Sequence, residues 1–388
     1  MAIPLKYNLR HVARRWKTTS TTVLSIGLVV AVFVSVLSLA NGLSQAFVAS
    51  GDPLNVLVLR KGSTAETNST VRRADYYSAK FLPGIATGSD GLPMVAVETI
   101  NIASLAKLSG GSSNAAIRGI SPASLTMRAG LTLTEGRMVA PGLNELLVGA
   151  GATTRFKNTK LGDTIRLVKS NWKVVGIFDA SRSSFDSEFW GDVEQLNREF
   201  DRSMYSSMVL RAVSPEAVEM LINTVETTQK LSNLKAQREV AYYAEQTKSS
   251  APIQFLGVMI SVIMAVGATF AAMNAMYASV ASRAWEIATL RVLGFSRGSI
   301  LLSFSLEALA IGFLGGVIGG ILALPINGVT TGTTNYSSFS EIAFAFQITP
   351  GLLVSGVVFA SIIGVVGGFL PALQASRIPI IDGLKSGS

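Results

Sequence analysis

Glu307 is the one ionisable residue inside four long apolar stretches of this 388-residue chain. A carboxylate there could carry a proton, hold a substrate, or serve packing through a hydrogen bond or a nearby arginine, since an uncompensated charge in hydrocarbon is costly. At 1.5 Å per residue it lies about 10 Å along a helix from Ile300, in the cytoplasmic half of that stretch. A proton relay needs a second ionisable group at similar depth; the stretches hold none, which favours the structural role. Other chemistry is quickly bounded. His11 is the only histidine and cysteine is absent, which removes a Ser/His/Asp triad, a multi-His metal cluster and a cysteine nucleophile. No G-x-x-x-x-G-K-[ST] loop occurs, nor any Gly-Lys pair, so ATP, if used, is bound by another chain. The chain is not expected to be an enzyme.

The next residues with a functional pattern lie between the second and third apolar stretches. Ile287, Leu290 and Leu293 recur at helical spacing, ringed by Arg283, Glu286, Arg291 and Arg297, and Gly294 is placed to end the helix. An apolar ridge with a charged rim can dock in a groove of a partner or lie on lipid headgroups. Periodicity alone leaves the two even. Glycines form a third pattern: Gly312, Gly316 and Gly320 recur every fourth residue with Gly315 and Gly319 beside them, and Gly364 and Gly368 repeat the interval. Small-xxx-small faces let helices approach closely in lipid. The expected contact is between the third and fourth stretches of one subunit, with a dimer contact as the alternative.

These residues need a membrane scaffold. Hydrophobic residues make up 49% of the chain and charged residues 15%, a balance unsuited to a soluble globule of this size. Thr21 to Ala40, Ile253 to Val280, Ile300 to Leu324 and Leu352 to Leu373 are each long enough to cross a hydrocarbon core as a helix. The first run is too long for a cleaved signal peptide. The net charge of +9 is concentrated beside these runs, whereas residues 42–251 carry 23 basic and 20 acidic residues, so the surplus marks topology and not nucleic-acid binding. Basic residues before the first span and in 281–299 predict a cytoplasmic side for both, and an even span count returns the carboxyl end there. The expected organisation is a cytoplasmic amphipathic helix at 1–18, spans at 19–41, 253–280, 300–324 and 352–373, an extracytoplasmic domain at 42–252, a cytoplasmic connection at 281–299, an external loop at 325–351 and a cytoplasmic tail at 374–388. In 1–18, Leu5, Leu9, Val12 and Trp16 share one face opposite Lys6, Arg10, Arg14 and Lys17, as on an interfacial helix. The expected fold class is therefore an integral membrane protein with four transmembrane helices and a large α+β domain between the first two.

Within that domain, Asn55 to Arg60, Met94 to Ile102 and Leu146 to Gly149 read as strands. Thr164 to Val168 and Trp172 to Phe178 read as a hairpin across Lys169, Ser170 and Asn171. Asp192 can cap a helix with Val193, Leu196 and Phe200 inward, and Ser214-Pro215 can open another with Val218, Leu221, Ile222 and Val225 on one face. Gly62 to Asp75 and Leu108 to Asn114 read as exposed loops.

The run Asn274-Ala-Met276-Tyr-Ala-Ser279-Val-Ala-Ser-Arg283-Ala-Trp-Glu286-Ile287-Ala-Thr-Leu290-Arg291-Val-Leu293-Gly294 resembles the FtsX-like and MacB-like permeases, the type VII architecture of ABC transporters. Glu307-Ala308-Leu309, Gly315-Gly316 and Pro371-Ala-Leu-Gln-Ala375-Ser-Arg377-Ile-Pro379 are similar to the same family. So are Arg118-Gly119, Glu135-Gly136-Arg137, Leu161-Gly162-Asp163 and Val174 to Phe178 in the large domain. The resemblance implies a permease subunit in a bacterial inner membrane with both termini cytoplasmic, paired with a second permease, either a copy or a paralogue. It also implies a separate cytoplasmic ABC ATPase that binds ATP and Mg, and a periplasmic adaptor as a further candidate partner. It favours ATPase coupling for Arg283, Glu286, Ile287, Leu290, Arg291, Leu293 and Gly294. The competing reading is a membrane-anchored receptor or scaffold without transport.

Overall fold

The computed structural model describes residues 16–381 apart from 129, 182 and 335–339; of residues 16–18, 249 and 250 only the backbone is described. Residues 1–15, which carry most of the amphipathic segment, and the tail beyond 381 lie outside the described residues. Two compact units emerge, one from residues 1–41, 252–329 and 346–388 and the other from 42–251 and 330–345.

Among the described residues four helices are long and apolar enough to cross a membrane, Thr19–Val48, Ala251–Ala281, Arg297–Ile326 and Pro350–Arg377, and the first unit is built from them. Their starts are written locally. Ser296 accepts from the Ser299 amide and Thr349 from the Leu352 amide, with Pro350 just inside, where its missing N–H costs nothing. The first helix continues past residue 40, through Gly42, to Val48 and stops before Gly51 and Pro53. Apolar side chains such as Phe255, Ile263, Phe270, Phe313 and Ile362 face outward, as a lipid solvent allows. The interior joins Ile26, Val30 and Val34 to Ala272, Met276, Phe304, Ile311, Ala360 and Ile363.

The second unit is built on one ten-stranded mixed sheet. Its strands are β1 (Asn55–Arg60), β2 (Val95–Ala106), β3 (Ser112–Ile120), β4 (Thr132–Gly136), β5 (Glu145–Gly149), β6 (Thr164–Arg166), β7 (Asn171–Asp179), β8 (Phe189–Asp192), β9 (Ser207–Arg211) and β10 (Leu234–Arg238). The order is β10-β1-β9-β2-β3-β8-β5-β7-β4, with β6 on β7. Only β3–β8 and β5–β7 run parallel; the other pairs are antiparallel. Two cores lie against it, one including Val56, Val58, Met208, Leu210, Val218, Leu221 and Val225, the other Ile117, Leu146, Val148, Trp172, Val174, Phe189 and Leu196. Asp192 accepts from the Gln195 amide and Ser214 from the Ala217 amide, opening the helices Val193–Glu199 and Pro215–Thr227.

Three segments read as loops are more ordered than their polar composition suggests. Gly62 to Asp75 contains the short turn Glu66–Asn68 and starts the helix Arg73–Ala79, with Glu66, Ser69 and Asp75 buried, because their side chains meet partners within the domain. In Leu108 to Asn114, residues from Ser112 onward belong to β3, and Gly110 and Gly111 turn the β2–β3 hairpin at φ 93° and 73°. In 325–351 lies a second hairpin, β11 (Thr330–Thr334) with β12 (Glu341–Ala345), which belongs to the second unit. Arg155 and Lys107 pair with Glu341, and the Ala343 amide donates to Ser187 Oγ at 2.6 Å.

Candidate functional site

The short helix Ala284–Val292 is fastened to the membrane unit at both ends. At its start Arg283 forms a two-pronged pair with Glu307 of the third span, Nη1 to Oε2 at 2.8 Å and Nη2 to Oε1 at 3.0 Å, with both side chains about 95% buried. At its end Arg291 Nη1 donates to the Ser376 carbonyl at 3.2 Å, beside the close of the fourth span. Gly294, at φ 93°, stops the helix as the turn-reversing residue. The Phe295 amide returns to the Leu290 carbonyl and the Gly294 amide to Arg291. Between these clips Ile287 and Ala288 are buried, Ile287 in the core that includes Ile300 and Phe304.

This geometry corrects the expected docking rim. Arg283 and Ile287 are not on an exposed face, because the carboxylate of Glu307 draws the guanidinium inward and Ile287 follows on the same helical side. Leu290, Glu286 and Arg291 are half-buried, and Leu293 is open. The exposed apolar face is formed by Trp285, Val292 and Leu293, at i, i+7 and i+8. Trp285 and Val292 were not singled out by the sequence, although their seven-residue interval was a readable sign. Glu307 itself is a partner for an arginine.

The glycines divide between two contacts. A methyl added at Gly312 would come 2.5 Å from the Ala360 carbonyl, one at Gly316 would meet Val357 Cα at 2.7 Å, and one at Gly364 would meet the Ala308 carbonyl at 2.5 Å. Gly368 would strike Ala308 Cβ, so these four bring the third and fourth spans together. Gly320 is looser, 3.3 Å from Leu353 Cδ2. Gly315 and Gly319 instead face the first span, against Ile26 and against Gly27 and Val30.

The second unit holds a buried charge network that sequence reasoning missed. Arg118 clamps Glu188 with Nε and Nη2 at 2.6 and 2.9 Å, and its Nη1 reaches Glu98 at 2.6 Å and Glu66 at 3.1 Å. Arg128 Nη2 holds both oxygens of Glu98 at 2.8 Å, and its Nη1 lies 3.5 Å from Glu239. Trp190 Nε1 donates to Glu188 and Ser207 Oγ to Glu66. Burial by itself would raise Glu98, but the guanidiniums of Arg128 and Arg118 outweigh it and bring the carboxyl down to about 2. Glu239 goes the other way: burial pushes it up more than Arg128 and its hydrogen bonds pull it down. The available signal was Glu98 and Arg118 interrupting the otherwise apolar runs Val95 to Ile100 and Ala115 to Ile120.

Four spans with a mixed α/β domain between the first two, and a braced helix between the second and third, define a membrane permease architecture. The description "MacB-like periplasmic core domain" matches residues 19–228 and "FtsX-like permease C-terminal" matches residues 258–380; the chain belongs to this family, the type VII permease subunits of ABC transporters. It is 22% identical over 394 residues to the uncharacterized ABC transporter permease YknZ of Bacillus subtilis (strain 168), covering 97% of this chain and 96% of that one. It is 27% identical over 233 residues to the macrolide export ATP-binding/permease protein MacB of Brucella abortus (strain 2308), covering 56% of this chain but 34% of the relative, so it spans about a third of that protein's length. The periplasmic region of MacB from Actinobacillus actinomycetemcomitans aligns at 12% identity and a TM-score of 0.37, covering 50% of this chain and 92% of that one.

Proposed function

We propose that this permease receives motion from a separate cytoplasmic ABC ATPase through the exposed face of Ala284–Val292 and passes it along the spans to the large domain on the opposite side of a bacterial inner membrane. The observation that carries this reading is the fastening of one short helix to spans three and four through Arg283–Glu307 and Arg291–Ser376, with Trp285, Val292 and Leu293 left outward. A loop resting on lipid needs no such bracing. A lever does, because displacement passes only through elements that do not give. In this reading ATP and Mg are held by the ATPase, the working unit contains two permeases, and the termini are cytoplasmic. The large domain then acts on a substrate or a periplasmic adaptor outside.

The test is purification of the permease with its ATPase in mild detergent. Replacing Trp285, Val292 and Leu293 together by Ala removes apolar contacts of about 1–3 kcal/mol each. ATPase retention and permease-dependent hydrolysis should fall while the protein still inserts and melts normally. Undiminished retention and hydrolysis would move the engine elsewhere. Reproducible absence of any ATPase from the unaltered protein would favour a membrane-anchored receptor or scaffold.

A further inference from the structure

Helices packed side by side are ordinarily joined by roughly 2–8 residues. Spans three and four, which approach each other at Gly312, Gly316, Gly364 and Gly368, are joined instead through the whole β11–β12 hairpin. Its connections to the two helices leave no slack. The Gly328 amide donates to the Phe346 carbonyl at 2.9 Å and the Phe346 amide to the Val329 carbonyl at 3.0 Å, so the hairpin ladder runs on beyond Thr330 and Ala345. Asn327 Oδ1 then accepts from the Ile348 amide at 2.9 Å, just ahead of the Thr349 cap of span four.

The second strand of this hairpin is held inside the second unit as a core strand would be. Glu341, Ile342, Ala343 and Phe344 are all buried. Glu341 meets Arg155 and, at 3.4 Å, Lys107, while Ser187 Oγ accepts from the Ala343 amide at 2.6 Å and donates to the Ala343 carbonyl at 3.3 Å. Glycines let neighbouring backbone come close: a methyl at Gly42 would strike the Ala345 carbonyl, and one at Gly151 would come 3.2 Å from Ala343 Cβ. A connecting loop ordinarily runs over the surface. Burying a carboxylate in one is costly unless basic partners compensate it, and a mere link between two spans requires none of this.

We propose that β12 is a strap through which spans three and four pull on the large domain, with Glu341 and Ser187 as its fastenings. This rests on the reading that an ATPase moves the helix Ala284–Val292, which Arg283–Glu307 and Arg291–Ser376 tie to those two spans. From that helix to Arg155 and Ser187, displacement then meets only packed or hydrogen-bonded elements, the kind of contiguous network that carries coupling between separated sites. The large domain is thereby driven by spans three and four as well as by the spans that precede and follow it in the chain.

The test uses the full-length permease in complex with its ATPase, carrying spin labels at Glu226→Cys on the large domain and Ser282→Cys beside the helix Ala284–Val292. Both positions are exposed, and the chain has no other cysteine. Pulsed electron paramagnetic resonance reads the distance between the labels with and without ATP. With the strap intact, ATP should shift that distance. Glu341→Ala and Ser187→Ala should each shrink the shift about twofold or more, while ATPase retention and hydrolysis stay as they were. Glu145→Ala is the control: it removes a similarly buried carboxylate, paired with Arg137, at the far end of β5 from Gly151, and should leave the shift intact. If Glu341→Ala does not fold, Ser187→Ala, which loses a single hydroxyl, carries the comparison. A shift unchanged in the strap variants, or reduced equally by Glu145→Ala, would overturn the strap and leave the coupling reading standing. No ATP-dependent shift in the unaltered complex would overturn both.

Discussion

Arg283 and Glu307, 24 residues apart, close on each other as a buried two-pronged ion pair that ties the end of the second span to the third. Both prongs are ordinary charge-assisted bonds, so the pair is a brace, and removing one partner leaves a stranded charge. Glu307→Ala should cost about 3–5 kcal/mol of stability. Glu307→Gln should cost less, because the amide retains one hydrogen-bonding oxygen. The double variant Arg283→Met with Glu307→Leu should recover much of the loss. Thermal unfolding in detergent measures all three. A double variant as damaged as Glu307→Ala would show that the charges have a use beyond bracing.

Gly312→Ala should separate the third and fourth spans, because its methyl would press on the Ala360 backbone carbonyl, which cannot rotate away. Overpacking of this kind costs about 1–3 kcal/mol. Gly267→Ala, with nothing within 4 Å, is the matched control and should not lower the melting midpoint, because alanine is the better helix former. Equal midpoints for the two variants would place the interhelix contact elsewhere.

Ile287 and Leu293 sit six residues apart on the same connection but in different surroundings, 2% and 66% exposed. Ile287→Ala should lower the stability of the permease itself by about 2–5 kcal/mol, and Leu293→Ala should hardly change it. Melting the permease without any partner distinguishes core from surface here, and comparable losses at the two positions would contradict the arrangement.

Acid should loosen the large domain in a defined window. The folded pKa of Glu98 is depressed from 4.5 to about 2, so its contribution is complete above the unfolded value and is lost as pH falls toward the folded one. Glu239, with a raised folded pKa, contributes below the ordinary carboxylate value and loses that contribution as pH rises. Glu98→Gln should therefore flatten the acid limb of the stability profile, and Glu239→Gln should favour the folded state at neutral pH. Tryptophan-monitored melting across pH would read both, and an acid limb identical in the Glu98 variant would contradict the assignment.

Orientation can be tested with introduced thiols, since the chain has no cysteine of its own. Ser109 and Ser282 are both exposed. Ser109→Cys should react with an impermeant reagent in intact cells, and Ser282→Cys only after permeabilisation. The reversed pattern would place the large domain inside. Ser183 is unsuited to this use because it is buried.

The four spans were legible in the sequence because length and apolarity are local properties, and the same holds for the helix starts at Asp192 and Ser214 and for the β6–β7 hairpin. The four-residue glycine interval likewise announced close helix packing. The expected contact of the third span with the fourth is made by Gly312 and Gly316, but Gly315 and Gly319, further around the same helix, touch the first span, which the interval did not indicate. Periodicity names a face, and only the assembled bundle names its neighbour. For the same reason the sequence offered Glu307 an arginine partner without naming it, and the fold supplies Arg283. The strand Glu341–Ala345 joined the large domain through pairings with Arg155, Lys107 and Ser187, which are distant in sequence. The network of Arg118 and Arg128 gathers side chains from Glu66 to Glu239, so its compensation of charge exists only when those strands and turns are brought into one interior.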